Sequence, residues 1–228
     1  MKRLSIIIPV YNEKKTIKEI IRRIDNVDTG MEKEIIVVDG CSTDGTKEIL
    51  DNLQRKDIKV IFEKRRKGKG AAIRKGLRWA TGDIQLIQDA DLEVHPAEYP
   101  YLLSPILNGD KRVVFGSRFL KGRGKTRFGS YVGNKAITWA VDILFGANLT
   151  DIATCHKVFT RDAIKKLHLR SNGFEIEAEI TTQLLKNNEK IYEVPIDYIP
   201  RTHQEGKKLR WRIGFKVLFA IIKFRFTR

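Results

Sequence analysis

The sequence predicts an α/β fold built on a mixed, mainly parallel sheet with helices on both faces. Three observations predict it. Short apolar runs rich in β-branched residues recur along the first half, helical periodicity fills the gaps between them, and polar or acidic residues follow the runs directly. The first run is Ser5-Ile6-Ile7-Ile8-Pro9-Val10, broken by Tyr11-Asn12-Glu13. Residues 16–24 then place Ile17, Ile20, Ile21 and Ile24 on one helical face. Glu34-Ile35-Ile36-Val37-Val38 is a second strand, followed by a polar turn and a helix over 46–53. Residues 58–62 form a third strand, 68–79 a Gly-led helix, and 84–88 a fourth strand ending at Asp89-Ala90-Asp91. A helix over 97–107 and a fifth strand over 112–116 complete this half.

The second half is less regular. Residues 121–130 are a Gly/Lys/Arg-rich loop, 131–145 an apolar helix, 157–160 a strand and 175–185 a helix. Residues 191–199 are extended and interrupted by Pro195, 201–208 a basic loop, and 209–226 a last helix. No repeat, low-complexity tract or linker divides the 228 residues, a length that supports one sizeable core. We therefore expect a single domain over 1–208 with a basic amphipathic helix over 209–228.

Composition is that of a soluble globular chain, 42% hydrophobic and 32% charged, but the formal charge is +16. Residues 64–78 carry eight Lys or Arg, 111–127 seven and 201–228 nine, opposed only by Glu205. Such an excess suits polyanionic partners: nucleic acid, an acidic membrane or a phosphorylated substrate. The two cysteines, Cys41 and Cys155, form no disulfide framework or zinc motif. The four histidines, His95, His156, His168 and His203, lack metal spacing and read as structural or surface residues. The apolar run at 4–10 is too short for a signal peptide. No stretch reaches the roughly 18 apolar residues of a membrane span. We expect a cytoplasmic protein, peripherally associated with a membrane.

Ligands of parallel sheets bind beyond the carboxyl ends of the strands, where Asn12, Asp39 and Asp89 to Asp91 fall. Asp89 and Asp91, two residues apart on a turn, can share a hard divalent cation whose shell a diphosphate completes. Asp39 is placed to accept hydrogen bonds from a base or ribose, whereas Asp44 and Thr46 cap the next helix. Lys67-Gly68-Lys69-Gly70 opens a helix whose amides can attract phosphate while the glycines let a ligand approach. Arg118, Lys125, Arg127, Arg201, Lys207 and Lys208 can form a cationic bowl facing the metal. The last helix mixes bulky apolar residues with cations, as a helix lying in a membrane interface does. An oligomer contact or a cap on the core would use the same residues.

Taken together these segments resemble family 2 glycosyltransferases of the GT-A fold, the Rossmann-like nucleotide-diphospho-sugar transferases, and within them the dolichyl-phosphate mannose synthase type. The likeness runs over nearly the whole chain. It includes Ile8-Pro9-Val10-Tyr11-Asn12-Glu13, Val38-Asp39-Gly40-Cys41-Ser42-Thr43-Asp44-Gly45-Thr46, Gly68-Lys69-Gly70 and Gln88-Asp89-Ala90-Asp91-Leu92. It continues through Gly116-Ser117-Arg118, Leu149-Thr150-Asp151, Phe174-Glu175-Ile176-Glu177, Glu193-Val194-Pro195 and Arg201-Thr202-His203-Gln204-Glu205-Gly206-Lys207. The resemblance implies that Pro9, Tyr11, Glu13 and Asp39 surround the nucleoside with Lys69 close by. It implies that Asp89 and Asp91, with Ala90 between them and joined by Glu93, hold Mg²⁺ or Mn²⁺ on the donor diphosphate. It implies that Arg118, Arg127, Arg201 and Lys207 receive a lipid phosphate. Where the family commonly has Asp-Asp-Gly-Ser, this chain has Asp39-Gly40-Cys41-Ser42, so the second Asp is missing. Many relatives carry C-terminal transmembrane helices, so this chain is expected to reach the membrane peripherally, or through a membrane-protein partner or a homo-oligomer.

The implied reaction is an inverting, metal-dependent transfer of a hexose, with mannose from GDP-mannose favoured, to dolichyl or polyprenyl phosphate. UDP-glucose or another donor, or a sugar hydroxyl as acceptor, is the alternative within the family. An acceptor phosphate is already anionic and needs no strong base, whereas a hydroxyl needs a carboxylate for which only Asp91 stands out. A basic nucleic-acid or membrane-binding module would explain the charge but leave Asp39, Asp89 and Asp91 idle, so no nucleic-acid partner is expected.

Overall fold

A computed structural model of the chain describes residues 2–201 and 211–227. Seven strands form one sheet: β1 (Arg3–Val10), β2 (Glu32–Asp39), β3 (Ile58–Phe62), β4 (Ile84–Ile87), β5 (Val113–Ser117), β6 (Lys157–Thr160) and β7 (Ile191–Pro195). The helices are α1 (Ile17–Asp25), α2 (Thr46–Asp51), α3 (Lys69–Trp79), α4 (Tyr99–Leu107), α5 (Phe128–Phe145), α6 (Arg161–Lys165), α7 (Ile176–Lys186) and α8 (Trp211–Phe226).

The strand order is β3-β2-β1-β4-β6-β5-β7. Strands β1 to β4 pair in parallel, β5 pairs in parallel with β7, and β6 runs antiparallel to both β4 and β5. The carboxyl ends of β1, β2, β4, β5 and β7 therefore share one edge with the amino end of β6. Ile87 of β4 stands opposite Lys157, and Phe115 of β5 stands between Lys157 and Glu193.

Both faces of the sheet are covered, which is why β1 and β2 are continuously apolar rather than alternating. Ile6, Ile8, Val37 and Leu86 pack with Ile17, Ile20 and Ile24 of α1 and with Leu102, Leu103 and Ile106 of α4. On the opposite face Ile87, Val113, Phe115 and Phe159 meet Ile73 of α3 and Ile176, Ile180 and Leu184 of α7. Each such side chain contributes about 1.5–3 kcal/mol when buried.

Helix α8, expected as a separate surface element, shares a third apolar cluster with the body. Its Val217 and Ile221 are buried against Ile137 and Val141 of α5 and Ala178 of α7. The helix is apolar on more than one side, so one face closes the core while Phe215, Phe219, Ile222 and Phe226 remain exposed.

The start of α3 presses against the segment at 171–173. A Cβ on Gly70 would lie 2.6 Å from Ser171 O and 2.8 Å from Gly173 O, and one on Gly68 2.6 Å from Asn172 O. These two glycines thus admit another stretch of the chain, and their role in ligand approach gives way to packing. Gly70→Ala must push this backbone aside. We expect it to lower stability by about 1–3 kcal/mol, the usual cost of overpacking, as read from urea denaturation.

Candidate active site

The loops after β1 and β2 interlock. Asn12, in the left-handed region at φ 55°, accepts from the Thr43 N–H at 2.8 Å, and its own N–H donates to Ser42 Oγ at 2.9 Å. The Ser42 N–H and hydroxyl both donate to the Asp39 carboxylate, at 3.0 and 2.5 Å. Asp44 accepts from the Thr46 N–H and hydroxyl and from the Lys14 N–H. Burial opposes its ionisation, but these donors hold its carboxyl below the usual range. Pro9 is half-buried opposite Val38, and the Tyr11 ring lies 4.1 Å from the Arg66 guanidinium. Pro9, Tyr11, Glu13 and Asp39 thus line one end of the edge, with the polar oxygens of Asp39 already bonded within the loop.

Past β4 the acidic residues part company. Lys69 Nζ sits 2.7 Å from Asp89 and 3.0 Å from Glu177, and Lys157 Nζ is 2.5 Å from Glu177. Burial raises the Asp89 pKa, yet the Lys69 charge outweighs it and holds the carboxyl below its ordinary value. Lys69 is correspondingly pushed well up by Asp89 and Glu177 against the pull of burial. Burial, then the charge of Asp89, pushes the pKa of the Cys155 thiol well up. Asp91 differs. Burial, then the charges of Asp89 and Glu93, raise its pKa from 3.8 to about 7. Among the described residues no cation stands within ion-pair distance of it. Ala90, between the two, is buried in the core.

Glu93 is held elsewhere: its carboxylate accepts from the Tyr198 hydroxyl at 2.8 Å and from the Arg201 N–H at 2.8 Å. Among the described residues no three His, Cys, Asp or Glu side chains form a metal cluster. Of the expected ligands Asp89, Asp91 and Glu93, Asp89 pairs with Lys69, and Glu93 accepts from Tyr198 and the Arg201 N–H. Asp91 forms no salt bridge among the described residues, and its hard oxygen donors suit a divalent cation.

The cationic bowl is also rearranged. Arg118 directs its guanidinium onto Asp151 in a two-point contact, Nε to Oδ2 at 2.7 Å and Nη2 to Oδ1 at 2.8 Å. The Asn134 amide supports the same carboxylate at 2.7 Å. Arg118 is thus an internal ion-pair partner and not a free receiver of anions. It remains one ring from the acidic loop, its guanidinium 5.2 Å from the centroid of Tyr198. Arg201 lies in the site, donating to Glu13 at 2.8 Å and to the Asp91 carbonyl at 2.6 Å. Lys125 and Arg127 are exposed just ahead of α5. Lys207 and Lys208 lie outside the described residues.

Sequence reasoning left Glu177, Lys157, Tyr198 and Asp151 without roles. No sequence signal marked Lys157, the first residue of β6, or Glu177, one of two acids in the first turn of α7, as buried. His156 is buried as expected, with Nε2 2.7 Å from Gln88 Oε1, and burial drives its pKa down to about 3.

Residues 5–168 match the family model described as glycosyl transferase family 2. A dolichol-phosphate mannosyltransferase from Pyrococcus furiosus is 33% identical over 97% of this chain, which spans 63% of that protein. An undecaprenyl-phosphate mannosyltransferase from Micrococcus luteus is 30% identical over 95% of this chain and 91% of its own length. Among solved structures, glucosyl-3-phosphoglycerate synthase from Mycobacterium tuberculosis, bound to Mn²⁺, UDP and phosphoglyceric acid, superposes with a TM-score of 0.76. It covers 100% of this chain and 80% of its own at 21% identity, a likeness of fold.

The crowding at Asp91 has a measurable sign. A carboxyl whose folded pKa of about 7 exceeds its ordinary value of 3.8 destabilises the fold as pH rises past 3.8, fully so above about 7. In the presence of a chelator, Asp91→Asn is expected to raise the thermal midpoint at neutral pH and flatten its decline between those limits. Scanning calorimetry showing an unchanged slope would contradict the assignment.

Proposed function

The chain belongs to glycosyl transferase family 2, a glycosyltransferase of the GT-A fold, and on that premise we propose that it moves a hexosyl group from a nucleotide-sugar to a polyprenyl phosphate. Mannose from GDP-mannose is the favoured donor, and the names of the two mannosyltransferase relatives support mannose as the sugar. The observation that carries the proposal is Asp91: a carboxylate crowded by Asp89 and Glu93, at the strand edge beside the loops of Tyr11 and Asp39.

In this reading the nucleoside lies against Pro9, Tyr11, Glu13 and Asp39, and the diphosphate lies over Asp91. Asp91 would hold a divalent ion, Mg²⁺ or Mn²⁺, which would supply the charge that makes the nucleoside diphosphate a good leaving group. Lys69 keeps Asp89 ionised and fixed, so the two carboxylates do not compete for one proton. An oxygen of the lipid phosphate attacks the anomeric carbon as the bond to the diphosphate oxygen breaks, and the centre inverts. The nucleophile is already anionic, so the protein's task is to align two mutually repelling phosphates. Arg127 and Lys125, exposed ahead of α5, and Lys207 receive the acceptor phosphate. Arg201 neutralises Glu13 and steadies the loop of Asp91.

The acceptor lipid places the reaction at a membrane surface. No helix among the described residues is long and apolar enough to cross a membrane. Helix α8 exposes Phe215, Phe219, Ile222 and Phe226 with Lys216, Lys223 and Arg225, and α5 exposes Phe128, Val132, Trp139 and Ile143. Apolar faces with interspersed cations suit peripheral binding to an anionic interface.

Two measurements test the proposal. Release of nucleoside diphosphate from GDP-mannose or UDP-glucose should require Mg²⁺ or Mn²⁺ and rise when polyprenyl phosphate is added. Asp91→Ala should abolish it, and lipid-independent turnover on a soluble sugar would replace this reading with a hydroxyl-acceptor enzyme. Phe219→Glu, at a position 71% exposed, should reduce co-flotation with anionic vesicles while leaving the fold intact. Unchanged flotation would remove α8 from the membrane contact.

A further inference from the structure

The loop that presents Asp91 is fastened from inside by a side chain that none of the roles above employs. Gln88, the residue before Asp89, is 1% exposed. Its Nε2 donates to the Asp89 carbonyl at 2.9 Å and the Val94 carbonyl at 3.3 Å, one at each end of the loop. Its Oε1 accepts from the Tyr99 hydroxyl at 3.0 Å and lies 2.7 Å from His156 Nε2.

These partners fix the amide's orientation. Backbone carbonyls only accept, so the nitrogen must face them, and the oxygen must face the hydroxyl and the imidazole. The reverse orientation would set oxygen against two carbonyls. All four hydrogen-bonding positions of the amide are thereby used, the condition under which a buried polar group rigidifies its surroundings. The Gln88 N–H also donates to Ile7 O at 3.0 Å, tying the amide's own backbone to β1.

The loop has reason to need fastening. Leu92 sits in the left-handed region at φ 63°, a conformation a γ-branched side chain keeps only when its surroundings impose it. From outside, Arg201 Nε holds the Asp91 carbonyl, and the Ile199 N–H holds the Glu93 carbonyl at 2.9 Å. Gln88 supplies the matching restraint from within.

We propose that Gln88 is the positioning residue for Asp91, holding both ends of the 89–94 loop so that this carboxylate faces the donor diphosphate. The inference rests on the glycosyl-transfer reading above.

Gln88→Glu isolates the role. A carboxylate of nearly the same size keeps the contacts from Tyr99 and His156 but, when ionised, cannot donate to either loop carbonyl. We expect kcat to fall about 10²-fold, the loss that a 1 Å misplacement brings, with the acceptor KM unchanged. Calorimetry should show weaker binding of GDP or UDP in the presence of Mn²⁺. Wild-type kcat and nucleotide affinity in this variant would overturn the proposal. If the variant does not fold, the wild type decides. The side-chain amide protons of Gln88 should exchange with solvent as slowly as the backbone amides of β4, and rapid exchange overturns the role. A wild type inactive toward nucleotide-sugar and polyprenyl phosphate would instead count against the glycosyl-transfer reading. Calorimetry and exchange would still judge Gln88.

Discussion

The structure turns on a buried alternation of charge, Asp89–Lys69–Glu177–Lys157, that joins the end of β4 to the starts of α3, α7 and β6. Lys157 has no exposure at all, donates to the carbonyls of Ile152 and Thr154, and lies 4.8 Å from the Phe115 ring centroid. Removing one partner from such a set strands a charge away from water, at a cost of about 3–5 kcal/mol. The alternation also decides the chemistry of the edge. Because Lys69 answers Asp89 while no cation among the described residues pairs with Asp91, the first carboxyl is held ionised and the second is pushed toward its neutral form.

A second polar assembly explains why segments far apart in the sequence belong together. Asp151 receives Arg118, while the backbone N–H groups of Thr150 and Asp151 donate to Glu193 at 2.8 and 3.0 Å. Ser117 Oγ meets Thr150 Oγ1 at 2.5 Å. Three of the recognised motifs, Gly116-Ser117-Arg118, Leu149-Thr150-Asp151 and Glu193-Val194-Pro195, are thus parts of one hydrogen-bonded unit. It links β5 and β7 to the chain entering β6. Burial raises the pKa of Glu193 despite these donors.

Much of this was legible beforehand, for stated reasons. Continuous Ile and Val runs identify strands covered on both faces, and acidic residues directly after β2 and β4 locate the edge where ligands bind. What could not be read were relations between distant positions. A four-residue strand such as β6 carries no sign of its direction, so its antiparallel insertion between β4 and β5 was invisible. Arg118 looks like a free cation until Asp151 folds onto it. Gly68 and Gly70 look like a ligand cradle until the 171–173 segment occupies the space. Glu93 looks like a third ligand until Tyr198 and Arg201 reach it. In each case the residue type was informative and its partner was not.

The reversed course of β6 also limits how such an enzyme can be re-engineered. The sheet is not a donor half followed by an acceptor half, because a strand from late in the chain is interleaved between two earlier ones. A chimaera joined after β4 or β5 would bring in a foreign β6 and α7, whose counterparts of Lys157 and Glu177 must satisfy the resident Lys69. Exchange of segments between relatives therefore calls for an intact sheet, with crossovers placed outside the interleaved strands.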